Sequence, residues 1–157
     1  QTFATTKFND GRYVTNYESD KLSGQANIYF ATDTQNKCDV IIKVNKNPND
    51  NSCRRFDREI KTLKHLDRPN VIKLIDSFVV QQNVHHLVFK YYKNGSLDQY
   101  ILNQGGFGKI RLVQITQWLS QICSALQYIH QKNYIHRDIK ADNILVDDNL
   151  NVVLTDF

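Results

Sequence analysis

The chain has 157 residues, 41% of them hydrophobic, and a formal charge of +4, which is enough apolar content to bury a sizeable core. The positive charge is spread along the sequence without a basic block, which argues against nucleic-acid binding, and no apolar run approaches the roughly 20 residues of a membrane span. Cys38, Cys53 and Cys123 are odd in number and form no Cys-x-x-Cys pair, so they read as reduced thiols of an intracellular protein, cytoplasmic or nuclear. No signal peptide is visible, methionine is absent, and both ends read as arbitrary, so a piece of a longer protein is expected.

Residues 1–16 are polar and aperiodic and are expected to form an N-terminal extension. From Tyr17 the text becomes strand-like. Ile28 to Ala31 and Val40 to Val44 are β-branched and aromatic around the turn-formers Asp33 to Asp39, and predict a hairpin. Pro48 to Ser52 supplies a breaker and N-cap candidates, and the helix after it places Phe56, Ile60 and Leu63 on one face. Val71 to Val80 and His85 to Tyr92 read as two further strands. A five-stranded sheet with one helix over residues 17–92 is the expectation, with Lys93-Asn94-Gly95 as a linker. Asn94-Gly95-Ser96 also matches a glycosylation acceptor, here taken as a turn. In residues 93–157, Ser96 to Asn103 predicts a short helix. Arg111 to Gln131 predicts a long core helix with Leu112, Ile115, Leu119, Ile122, Leu126 and Ile129 at helical spacing. Ile144 to Val146 and Val152 to Leu154 are short strands around Asp147-Asp148-Asn149.

Within this frame, His136, Arg137, Asp138, Lys140 and Asn143 crowd into one polar stretch between apolar runs. A carboxylate, an ammonium and an amide so closely spaced suit handling a phosphate, a metal and a hydroxyl proton together. Lys43 ends the run Val40-Ile41-Ile42 and points to the same strand face as Ile41; alone it reads as a snorkelling or edge-strand lysine. Glu59 lies on the inward face of the first helix, where a carboxylate is costly without a partner, and Lys43 is the obvious one. Asp156 taken alone is a turn residue. A short hairpin would return it beside Asn143, giving two hard oxygen donors for Mg²⁺.

The run His136-Arg137-Asp138-x-Lys140-x-x-Asn143, with Lys43, Glu59 and Asp156-Phe157, resembles the eukaryotic-type serine/threonine protein kinases. The resemblance implies an α+β, protein-kinase-like two-lobe fold: an antiparallel sheet with one helix, then a mainly helical lobe. It implies transfer of the γ-phosphate of Mg-ATP to a protein hydroxyl, with a Ser/Thr-bearing protein substrate as partner. Lys43, paired with Glu59, would hold phosphates; Asp138 would accept the hydroxyl proton; Lys140 would neutralise the transferred group and favours serine/threonine over tyrosine. Asn143 and Asp156 would hold Mg²⁺, and His136 and Phe157 would join Leu63 in a packed column. Leu22, Gly24 and Ile28 would flank and form the phosphate loop. Ile41, Phe89 and Leu145 would line the adenine pocket, with Phe89 as gatekeeper, main-chain groups of Lys90 and Tyr92 on the adenine edge, and Ser96 or Asp98 near the ribose.

The sequence departs from the family in its loop, which holds the single glycine Gly24, and in Ile41, which stands where a small alanine is usual. Glycines let backbone amides approach phosphates closely, so their loss weakens that grip. The rival implied is a nucleotide-poor pseudokinase, or a truncated kinase piece, acting as a binding or inhibitory scaffold.

Overall fold

The computed structural model describes residues 5–15, 18–23, 26–45 and 48–157. They form two units, one from the chain up to Lys64 with Lys73–Tyr91, the other from His65–Ile72 with Tyr92–Phe157.

The first unit begins with a turn at Asn9, Asp10 and Gly11, all at positive φ (48°, 53° and 86°), residue types that tolerate the left-handed region. The turn joins β1 (Thr6–Phe8) to β2 (Tyr13–Thr15). These strands lie where the sequence predicted an extension; instead β2 pairs with the main sheet at Tyr13↔Asp33 and Val14↔Thr32. The remaining strands are β3 (Glu18–Ser23), β4 (Ala26–Asp33), β5 (Cys38–Asn45), β6 (Leu74–Val80) and β7 (Val84–Lys90). Their order is β1-β2-β4-β5-β7-β6 with β3 also on β4, seven strands among the described residues where five were expected.

The alternation of side chains gives this sheet two apolar faces. On one, Val40, Ile42, Val44 and Val88 pack with Ala31 and Tyr13, so the N-terminal hairpin completes a core. On the other, Ala26 and Leu87 pack against Phe56 of α1 (Asp50–Lys64). Asn49 caps α1 reciprocally: its Oδ1 accepts from Ser52 N at 2.9 Å, and its own N–H reaches Ser52 Oγ at 3.2 Å.

Polar bonds secure the hairpin. Arg12 donates to both oxygens of Asp33 (3.1 and 2.9 Å), and Tyr13 Oη donates to Asp76 at 2.9 Å. Arg12, aided by Asn36 and backbone N–H groups, outweighs burial and holds the Asp33 carboxyl down at about 2. Burial first, then the bond to Asp76, raises the Tyr13 phenol.

In the second unit, α2 (Leu97–Asn103) and α3 (Leu112–Gln131) pack on the hairpin of β8 (Ile144–Val146) and β9 (Val152–Leu154). The segment before Lys73 belongs here and not to a strand running from Val71. Asn70 Nδ2 donates to Val152 O, Leu154 N donates to Asn70 O, and Ile72 N donates to Leu154 O, each at 2.9 Å. The edge of β9 thus satisfies polar groups of Asn70 and Ile72, which lie before β6. In α3 the buried face is Trp118, Ala125 and Ile129, whereas Leu112 is 77% and Leu119 58% exposed. Of the expected stripe, Ile122, Leu126 and Ile129 do pack on the core; buried Trp118 joins them, its indole donating to Leu150 O at 2.8 Å. No helix among the described residues is long and apolar enough to cross a membrane.

Candidate active site

Two groups of predicted residues are brought together, one in each unit. In the first, β5 carries Lys43 toward α1, and its Nζ meets both oxygens of Glu59, at 3.0 and 2.9 Å. Glu59 is only 8% exposed, so its charge is compensated where an unpaired carboxylate would be costly. Nζ also lies 5.5 Å from the Phe56 ring centroid. Ile41 stands one same-face step from Lys43, in register with Phe30 on β4 and Phe89 on β7. Three large side chains therefore share one row. Ile28 is in register with Lys43. Lys90 ends β7, opposite Val40. Leu22 lies in β3, and β3 and β4 pair as far as Ser23↔Ala26; Gly24 lies outside the described residues.

In the second unit, the stretch from Tyr134 to Lys140 runs without regular structure between α3 and a 3₁₀ turn at Ala141–Asn143. Arg137 takes φ +73° and Asp156 φ +61°, left-handed conformations that non-glycine residues rarely hold without surrounding support. That support is visible. Buried His136 accepts the Asp138 N–H at Nδ1 (3.2 Å), so Nε2 carries the hydrogen and donates to Thr155 O at 2.6 Å. Its ring meets Phe157 edge-on at 5.0 Å. Asn143, also buried, donates through Nδ2 to Asp138 O and to Asp138 Oδ2, both at 2.9 Å. Lys140 Nζ lies 3.3 Å from the same Oδ2. Thr155 N donates to Asn143 O at 3.0 Å, which sets Asp156 next to a residue bound on both sides to this stretch.

The fit to a divalent cation rests on donor chemistry. The Asn143 amide nitrogen is committed to Asp138, leaving Oδ1 as a hard oxygen, with exposed Asp156 close in sequence to the contact. Among the described residues no three His, Cys, Asp or Glu side chains converge as a closed cage. Mg²⁺ does not need one, since it keeps waters and binds through one or two side chains plus phosphate.

Other predicted residues are placed as follows. Ser96 is the N-cap of α2, its hydroxyl accepting from Gln99 N at 3.2 Å, and it bridges to Leu145; Asp98 is exposed in the first turn. Tyr92 O accepts from Gly95 N at 2.9 Å, and burial raises the Tyr92 phenol, with Asp147 adding to it. Sequence reasoning missed the Arg12–Asp33 clamp, although Asn9-Asp10-Gly11 carried a hairpin signal. It also missed His85, held by Asp57 of α1; nothing local marks such a pair.

The relative serine/threonine-protein kinase PrkC of Bacillus subtilis (strain 168) is 35% identical over 137 residues, covering 85% of this chain. The chain spans 20% of that protein's length. Residues 22–157 match the family described as protein tyrosine and serine/threonine kinase. With its paired Lys43 and Glu59 and its ordered Asp138, Lys140 and Asn143, the chain belongs to the protein tyrosine and serine/threonine kinase family.

Proposed function

We propose that this chain is the nucleotide-binding and catalytic part of a serine/threonine protein kinase, which transfers the γ-phosphate of ATP to a hydroxyl of a protein substrate. The observation that carries the reading is Asp138, whose carboxylate is oriented by Asn143 and neighboured by Lys140. In this reading Asp138 positions the substrate hydroxyl and takes its proton, and Lys140 balances charge on the group in transfer. Lys43, aimed by Glu59, contacts ATP phosphates. By the family resemblance, nucleotide contacts would be assigned to Leu22, Gly24, Ile28, Ile41, Phe89 and Leu145, adenine-edge contacts to main-chain groups of Lys90 and Tyr92, and ribose contacts to Ser96 or Asp98. Asn143 and Asp156 hold Mg²⁺, which when bound neutralises phosphate charge. Lys140 also supports serine/threonine over tyrosine. The free thiols of Cys38, Cys53 and Cys123 support an intracellular setting.

A scaffold reading has one observation in its favour. The β3–β4 pairing reaches Ser23↔Ala26, so only Gly24 and Gln25 separate paired positions where the family has a glycine-rich loop. The test is γ-phosphate transfer by the natural protein to panels of serine, threonine and tyrosine peptides, with Mg-ATP binding measured in parallel. Transfer to serine or threonine is expected. Binding without transfer to any peptide overturns the enzyme reading in favour of the scaffold.

A further inference from the structure

We propose that His85 and Asp57 are positioning residues that fix the rotation of α1 and so hold Glu59 against Lys43; this rests on the kinase reading above. His85 sits on the helix-facing side of β7 and is buried. Its Nε2 meets Asp57 Oδ1 and its Nδ1 meets Asn83 O, both at 2.9 Å. Each ring nitrogen thus faces an oxygen, one on the helix and one on the loop before β7. Its backbone is held as well, since His85 N donates to Oδ1 of buried Asn45 at 2.7 Å. Asn45 in turn donates to Asn83 O at 3.3 Å and to Cys53 Sγ of α1 at 3.8 Å.

The physical need for such a clasp lies in what the apolar contacts leave undetermined. Phe56 buries its ring 6.1 Å from His85 and 5.5 Å from Lys43 Nζ, and this holds α1 on the sheet without fixing its roll. Apolar burial is non-directional, whereas hydrogen bonds are not. Asp57 and Glu59 lie about 160° apart around the helix axis, on opposite flanks of Phe56. A bond at each flank opposes the roll that the other alone permits. Glu59 thus meets Lys43 with both oxygens because Asp57 is tied down on the far side.

The test uses Asp57→Ala, Asp57→Asn and His85→Gln in the natural protein. The Asp57 side chain is 66% exposed, so its removal leaves no buried void. One readout is labelling of the Lys43 ε-amine by an amine-reactive reagent, located by mass spectrometry with the other lysines as internal controls. The second is kcat/KM for peptide phosphorylation. Asp57→Ala and His85→Gln are expected to raise Lys43 labelling selectively and to lower kcat/KM by roughly fivefold or more, the lower end of coupling between sites. Asp57→Asn, which keeps an acceptor oxygen, restores both in large part. With Glu59→Gln already present, Asp57→Ala adds no further loss. Unchanged Lys43 labelling in both Asp57→Ala and His85→Gln overturns the proposal, as does a rise spread over all lysines, which marks a merely structural role. Selective exposure of Lys43 in a wild-type background that transfers no phosphate supports the clasp and overturns the kinase reading instead.

Discussion

Asn143 binds Asp138 twice through one amide nitrogen, at the main-chain carbonyl and at carboxylate Oδ2, each 2.9 Å away. One buried side chain thereby sets both the backbone and the rotamer of the acid that the proposed chemistry uses. Asn143→Ala removes the donor to both oxygens. We expect a loss of about 1–3 kcal/mol in unfolding free energy, the scale of an unsatisfied polar group, together with loss of phosphoryl transfer. Denaturant unfolding and a transfer assay on the same preparation check the two effects.

Asp138→Asn keeps the shape of the side chain and removes its charge. Lys140 then loses its carboxylate neighbour at 3.3 Å, but no buried packing changes, since Asp138 is exposed. Phosphoryl transfer is expected to fall by about 10²–10⁴-fold, the usual contribution of a general base, while ATP affinity holds. Transfer at the wild-type rate would remove Asp138 from the proposed role.

Lys43→Met is expected to act differently, losing stability as well as activity. It removes the two hydrogen bonds that Lys43 gives Glu59 while leaving the carboxylate nine-tenths buried. Breaking one side of a buried pair typically costs about 3–5 kcal/mol; partial exposure of Lys43 puts the expectation at the lower end. Lys43→Met with Glu59→Gln should regain part of the stability and none of the transfer, as read by thermal unfolding and peptide phosphorylation.

Ile41→Ala opens the row that Ile41 shares with Phe30 and Phe89. Bulkier adenine-site inhibitors should bind more tightly and ATP affinity should hold or rise. Lost methyl groups set an upper bound of about 2–5 kcal/mol on the stability cost, and Ile41 is only half-buried. Calorimetric titration well below the unfolding transition separates affinity from stability; loss of ATP binding by the folded variant would exclude Ile41 from the pocket.

Acid stability should report the hairpin clamp. Asp33 titrates near 2 when folded, chiefly because Arg12 binds it, against an ordinary value of 3.8. A carboxyl depressed on folding stabilises fully above its unfolded value, and that contribution fades as pH falls from about 4 toward 2. Arg12→Gln should shrink this contribution, so that the variant is less stable at neutral pH and changes less between pH 4 and 2. Thermal midpoints across that window, equal in slope for both proteins, would contradict the clamp.

Local pattern made much of this protein legible in its sequence. Alternating β-branched residues marked β4 and β5, the Asn49–Ser52 cap lay where breaker and cap residues clustered, and the spacing from His136 to Asn143 marked the polar stretch. The Lys43–Glu59 pair was also readable, because a carboxylate on an inward helix face requires a cation.

Tertiary structure alone decided other matters. β1 and β2 have three residues each, too short for a pattern to show, and are held in the sheet by buried Tyr13 and by Arg12, Asp33 and Asp76 across long sequence distances. The residues around Asn70 left the strand pattern because the edge of β9 offered partners for their backbone groups. In α3, apolar residues line more of the circumference than one docking surface can cover. The side presented to the core carries Ile122, Leu126 and Ile129 together with Trp118, whose indole donates to the Leu150 carbonyl. Periodicity limits which faces an element can bury, but long-range hydrogen bonds, invisible to any local window, select among them.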